Sequence, residues 1–410
     1  MSAQDLWGAD AAGKEHRHRG LRSIFRSQWN PVTLTVCNHT FRRNASRHLK
    51  DIGMADGRTN AKGSRKSWID LARALAVAAV CMLHVAALIV SNFQNISMSD
   101  RIVGNIIDSS VRWCVPIFVM VSGHLMIDGA QTTSLRGFYR ARLNRILVPL
   151  VFWSVLYVLL LPILRKCLLG VEFGNAFEPR RILTAIFIGR PYYHLWYLYM
   201  LLGLYAATPV LNILVAHCEK TLLGGSIVVL FCLSFLTQVW EQWGGWYPFF
   251  GIKFMYYLGY FLFPYFCRTY CPVVGWRPIV PVLIVSIIVT VLGAEIGMSE
   301  FGVDPDMGPY LYSSPNVVVM SLAIFLLLRD CSPRWGEFPI VRMISDNSFG
   351  IYLIHIVPLD IIQRTRVSPG ALAERIGPVA ALMGVSTVIF LASFMAVACM
   401  RRFPGLRRLV

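Results

Sequence analysis

The chain has 410 residues, 56% hydrophobic and only 15% charged, with a mean hydropathy of +0.55. That composition excludes an ordinary soluble globular protein, in which about 25% of residues are charged, and leaves a polytopic membrane protein, for which length does not count domains. The net charge of +17 lies in the N-terminal tail and at the ends of apolar segments, which fits cytoplasmic loops and anionic lipid contact and argues against nucleic acid as a partner.

Residues 1–66 are polar and basic, with His16, His18, the run Phe41, Arg42, Arg43 and a stretch ending at Arg65 and Lys66. Nothing there is periodic enough for a core. Two readings stand open: a disordered cytoplasmic tail, or an over-long reading frame whose true start is Met54. No signal peptide with a cleavage site is visible, and the sequons at Asn38, Asn44 and Asn95 are read as chance.

Ten hydrophobic segments follow, near 68–90, 104–127, 143–164, 193–215, 222–240, 250–267, 277–297, 312–329, 342–362 and 377–400. Each approaches the roughly 20 residues that span a bilayer. The expected fold is therefore an all-α bundle of about ten transmembrane helices over 67–402, with a short basic C-terminal tail at 403–410. An even number of spans puts both termini on one side. The basic N-terminal tail and Arg401, Arg402, Arg407 and Arg408 make that side cytoplasmic. Arg136, Arg140, Arg142 and Arg145 after the second segment agree. So does the acidic loop with Glu300, Asp304 and Asp306 after the seventh. The loop after the third segment, with Arg165, Lys166, Arg180, Arg181 and Arg190, runs the other way.

The first segment carries Arg73 and His84, eleven residues apart. That is about three helical turns, so the two face one way, roughly 16 Å apart along the axis. Asp70 lies one turn before Arg73 on the same face. A cation and an imidazole along one stripe of a membrane helix are expensive and mark a functional site. The competing structural roles are snorkelling for Arg73 and an interhelical hydrogen bond for His84. Arg112 follows Asp108 by four residues, so it either pairs within its helix or lines a cavity. Tyr352 and His355 share a helix face. Cys81, Cys114, Cys167, Cys232 and Cys399 lie in apolar runs and are read as small buried hydrophobes. No metal is expected, because no His/Asp cluster has ligand spacing.

Arg73, ten residues, then His84 in a first membrane helix resembles the signature of acyltransferase family 3, the integral membrane O-acyltransferases. Four further blocks are similar in order: CVPIFVMVSGHL from Cys114, containing Ser122; RARLNRILVP from Arg140; YHLWYL from Tyr193, containing His194 and Trp196; and SFGIYLIH from Ser348, ending in Tyr352 and His355. The last two blocks, with Arg364 and Arg366, look most like the enterobacterial common antigen O-acetyltransferase type. His124 departs from the pattern, which usually has an aromatic after Ser-Gly, and residues 1–66 lie outside the resemblance.

The resemblance implies transfer of acetyl from acetyl-CoA, a co-substrate and not a permanently bound cofactor, to a sugar hydroxyl of a surface glycan or its lipid-linked precursor at a bacterial inner membrane. His84 is then the general base, or the site of an acetyl intermediate. Arg73 holds the donor or stabilises charge on the thioester oxygen. Asp70, Arg140, Arg142 and Arg145 are expected on the donor side, and Arg112, Ser122, His194, Trp196, Tyr352 and His355 on the acceptor or cavity side. Two other classes stay open from the residues: a transporter of a lipid-linked sugar or anion using Arg73 and His84 as substrate and proton sites, and a scaffold without activity. A succinyl or longer acyl donor also stays open.

Overall fold

Ser67–Val90 forms the first helix, α1, from a run of alanine, leucine and valine with no glycine or proline to interrupt it. In the computed structural model, which describes residues 66–130, 134–170, 177–189, 191–244, 250–331 and 335–410, this helix is the centre of an all-helical bundle. The N-terminal tail, Met54 and the sequons at Asn38 and Asn44 lie outside the described residues. Among the described residues there is no strand. Most of α1 is buried, on several faces, as expected of a helix apolar all round.

The second expected segment is two helices end to end, α2 (Met98–Val111) and α3 (Cys114–Met126), joined at Arg112 and Trp113. Ser97 caps α2, its Oγ accepting from the Asp100 N–H at 3.1 Å. α4 (Leu135–Val155) runs through a π-helical turn at 156–160 into α5 (Leu161–Leu169), which stops at Gly170 with φ 69°. A short α6 (Pro179–Phe187) precedes α7 (Trp196–His217) and α8 (Lys220–Gly244). Then come α9 (Leu258–Tyr270), α10 (Trp276–Glu300), α11 (Pro315–Cys331), α12 (Pro339–Ile354), α13 (Ile356–Ile362), α14 (Pro369–Ile376) and α15 (Pro378–Met400).

Seven helices among the described residues are long and apolar enough to cross a membrane: α1, α2 with α3, α4 with α5, α7, α8, α10 and α15. The other three expected segments are helical but shorter. α9 has 13 residues after a 3-10 stretch at Phe250–Tyr257, α11 has 17, and α12 has 16 before it breaks at His355. Pro358 explains that break, since it lacks an N–H and its ring opposes the carbonyl four residues back.

The bundle's outer surface is apolar where α8, α10 and α15 face outward, with Leu233, Leu236, Val285, Val289, Val388 and Leu391 exposed. Cys81 and Cys114 are buried, as expected, but Cys167, Cys232 and Cys399 are exposed. An apolar run in a membrane helix is satisfied by lipid as well as by a core, so hydropathy does not separate the two.

α3 crosses α9 closely. A Cβ on Gly123 would lie 2.0 Å from the Phe261 carbonyl oxygen, so only glycine lets these two backbones touch. Gly123→Ala is expected to destabilise the bundle by about 1–3 kcal/mol or more, the cost of overpacking a filled site. Thermal unfolding in detergent checks it.

Arg165 removes part of the charge conflict after the third segment. It lies within α5, and its guanidinium clasps Asp360 of α13 with two bonds of 2.7 and 2.6 Å. Its charge is neutralised inside the protein and is not a loop charge. Lys166 and Arg180 are exposed. The Arg181 side chain and residue 190 lie outside the described set.

Candidate active site

Arg73 and His84 interrupt the buried surface of α1. Both are half-buried, while Ala72, Ala76, Val77, Val80, Leu83 and Val85 around them are buried. Arg73 and His84 are thus less tightly enclosed than the residues that flank them on the central helix. Arg73 stands within electrostatic reach of Tyr197 on α7. His84 meets the ring of Tyr193 at 5.4 Å and that of His355 at 5.1 Å.

His355 sits at the break between α12 and α13 and is fully buried. Its Nδ1 lies 2.7 Å from the Tyr352 carbonyl. A carbonyl only accepts, so Nδ1 carries the proton and Nε2 is left as an acceptor. That Nε2 has no hydrogen-bond partner. His194, on the turn before α7, lies 5.6 Å from His355 ring to ring. It is buried with neither ring nitrogen bonded. Three imidazoles from three parts of the chain therefore stand in a row, and three ring nitrogens on His355 and His194 have no hydrogen-bond partner.

Tyrosines hold this row. Tyr352 donates to the His194 carbonyl at 2.5 Å, tying α12 to the turn. Tyr157, in the π-helical turn, donates to the Leu353 carbonyl at 2.6 Å and meets His194 edge-on at 4.9 Å. A single π turn changes the facing of one side chain, which is why such turns recur at sites. Tyr192 packs on Tyr157 at 4.7 Å, accepts from Arg165 at 2.9 Å and donates to Asp360 at 3.2 Å. Burial and the Asp360 charge push the Tyr192 phenol up to about 12.

The remaining expected residues divide. Trp196 packs with tilted rings against Tyr257 at 5.6 Å and Tyr312 at 6.1 Å, inside the bundle. Arg112 is buried, pairs with Asp108 at 2.8 Å within its helix and with Asp306 at 2.9 Å, and lies 3.7 Å over the Tyr310 ring. It also stands within electrostatic range of His84. Asp70 is buried and accepts from Ser345 Oγ at 2.7 Å, so it pins α1 to α12 one turn before Arg73. Ser122 is half-buried on α3. Arg140, Arg142 and Arg145 are exposed in the early turns of α4. Arg145 precedes Tyr157 by about 18 Å of helix, so these arginines are not part of the imidazole row.

Sequence reasoning passed over Tyr157, Tyr192 and Tyr197. For Tyr192 and Tyr197 a signal existed, since both flank His194 and Trp196 in one block. For Tyr157 none did, because a π turn has no pattern in the chain.

No curated protein and no solved structure matches the chain. A family model described as an acyltransferase domain, that of acyltransferase family 3, matches residues 66–400. The match begins one residue before α1 and ends at the last residue of α15, so it takes in Arg73, His84, His194 and His355 together. The chain belongs to acyltransferase family 3.

Proposed function

We propose that this membrane acyltransferase moves acetyl from acetyl-CoA to a sugar hydroxyl of a surface glycan, or of its lipid-linked precursor, in a bacterial inner membrane. The observation that carries the reading is the half-buried Arg73–His84 stripe of α1, with His84 against His355 and Tyr193, inside a family-3 domain. An acceptor of the enterobacterial common antigen kind is the narrower form of the same proposal.

A sugar hydroxyl is a weak nucleophile near neutral pH, and an imidazole is suited to take its proton. In the proposed step the hydroxyl oxygen bonds to the acetyl carbonyl carbon and its proton passes to His84. The carbon–sulfur bond then breaks, its electron pair leaves on the CoA sulfur, and that sulfur takes the proton back from His84. Arg73 faces the negative charge that develops on the carbonyl oxygen, or a donor phosphate. His355, His194, Trp196 and Tyr352 shape the acceptor side. Asp70 acts by fixing α1 on α12, and Arg140, Arg142 and Arg145 give the donor a basic approach. The tyrosines and hydrocarbon around the imidazole row limit loss of the thioester to water.

The test uses protein in lipid nanodiscs with labelled acetyl-CoA, following CoA release and label in a membrane glycan extract. His84-dependent label in glycan supports acetyl transfer. Substrate movement without any acetylated product overturns it in favour of transport. Arg73→Ala is expected to raise the KM for acetyl-CoA about 10- to 100-fold, the worth of a charge-assisted hydrogen bond. An unchanged KM with a lower kcat moves Arg73 from donor binding to the transition state.

A further inference from the structure

The imidazole row does not absorb a second polar cluster at the opposite end of α1. Lys66, just ahead of the helix, places Nζ 3.0 Å from His124 Nε2. An ammonium only donates, so Nε2 accepts and the proton of this ring is on Nδ1. That Nδ1 is buried without a partner, in a side chain only 7% exposed. Trp68 closes one side, edge-on at 5.0 Å. A buried, unmet N–H costs free energy unless something accepts from it.

The charges around that N–H are mostly positive. Lys66, Arg268 of α9 and Arg329 of α11 all act on His124. Arg329 is taken up by Asp330 at 2.5 Å. Arg268 gives one nitrogen to the Ile127 carbonyl at 2.9 Å, which leaves most of its donor fork. Burial and the nearby Arg268 hold the Lys66 ammonium below its usual range. Two cations and an orphan N–H thus converge on one place, and the chemistry that satisfies all three is a phosphate oxygen.

The helix phase says which phosphate. Lys66 precedes Arg73 by seven residues and His84 by eighteen, which is two turns and five turns. Arg73 and His84 lie on one face of α1, and Lys66, the extended residue that caps it, is about 27 Å from His84 along the axis. Resting on the donor reading above, we infer that Lys66, His124 and Arg268 form the docking site for the nucleotide phosphates of an acyl-CoA donor, whose arm runs past Arg73 to His84. Position 124, where this chain carries histidine after Ser122 and Gly123, is then a donor contact of its own.

The experiment measures binding of adenosine 3′,5′-bisphosphate to the full chain in nanodiscs, once in neutral phosphatidylcholine and once with phosphatidylglycerol. Lys66→Gln, Arg268→Gln and His124→Phe are each expected to weaken binding about tenfold or more. Lys66→Arg should keep it, and Lys220→Gln, an exposed charge elsewhere, should leave it unchanged. Lys66 is exposed ahead of the helix, so its substitution tests the site without disturbing packing. Equal affinity across the variants overturns the inference. So does loss of nucleotide binding in phosphatidylglycerol, which makes the site one for lipid headgroups. Bisphosphate binding that depends on Lys66, with no acetyl transfer from acetyl-CoA, keeps the site and rejects the proposed reaction.

Discussion

Replacing His84 with alanine is expected to lower acetyl transfer by about 10²–10⁴-fold, the usual contribution of a positioned general base. The protein should still insert and fold. His84 is half-buried on a helix whose buried contacts come from other faces, so loss of the ring removes little packing. The nearest imidazole is His355 at 5.1 Å, its Nδ1 bonded to the Tyr352 carbonyl and its Nε2 without a partner, so the residual rate of the variant is assigned to His355 Nε2. Arg112 cannot act as a base, being held by Asp108 and Asp306. The measurement is initial rate in nanodiscs against thermal unfolding of the same sample. Full activity in the variant sinks the mechanism. Quenching the wild type separates the two routes: a covalent acetyl intermediate predicts an acetylated His84 peptide, and direct transfer predicts none.

The sequence reached the stripe because the cost that makes it informative is visible in one dimension. Arg73 and His84 sit eleven residues apart on an otherwise apolar helix, and the facing follows from helix geometry. The Asp108–Arg112 pair was legible for the same reason, since four residues is one turn. What the chain hid was long-range. Nothing in the segment around Arg165 announces a partner 195 residues away, and so a half-buried, paired cation read as loop charge. Hydropathy also overcounted long helices. It cannot see Pro358 turning one apolar segment into α12 and α13, or the 3-10 stretch that shortens α9. That same break at His355 places the second imidazole, so the feature that shortens α12 is one that builds the site. The departure at His124 was visible, but the partner that gives it meaning, Lys66, stands outside the apolar pattern.

Arg165→Ala is expected to destabilise the bundle strongly, because it strands a charge. Asp360 is about 1% exposed, and both of its oxygens are bonded to Arg165. Without Arg165 the carboxylate keeps Tyr192 at 3.2 Å, Gln363 at 3.1 Å and a weak contact to Arg364 at 3.6 Å. Removing one partner of a buried pair costs about 3–5 kcal/mol. Arg165 is 22% exposed, which admits some solvent screening and favours the lower end of that range. The effect reaches the site by a short route: Tyr192 stacks on Tyr157 and adjoins Tyr193 and His194. Loss of transfer should therefore accompany loss of stability. Arg165→Met combined with Asp360→Leu removes both charges and is expected to recover most of the unfolding temperature, since apolar replacements of a buried pair are often neutral. Activity should recover less, because Tyr192 then lacks both of its partners. An unchanged melting temperature in Arg165→Ala would show that the clasp holds nothing, and would return Arg165 to the count of loop charges that oppose the expected orientation.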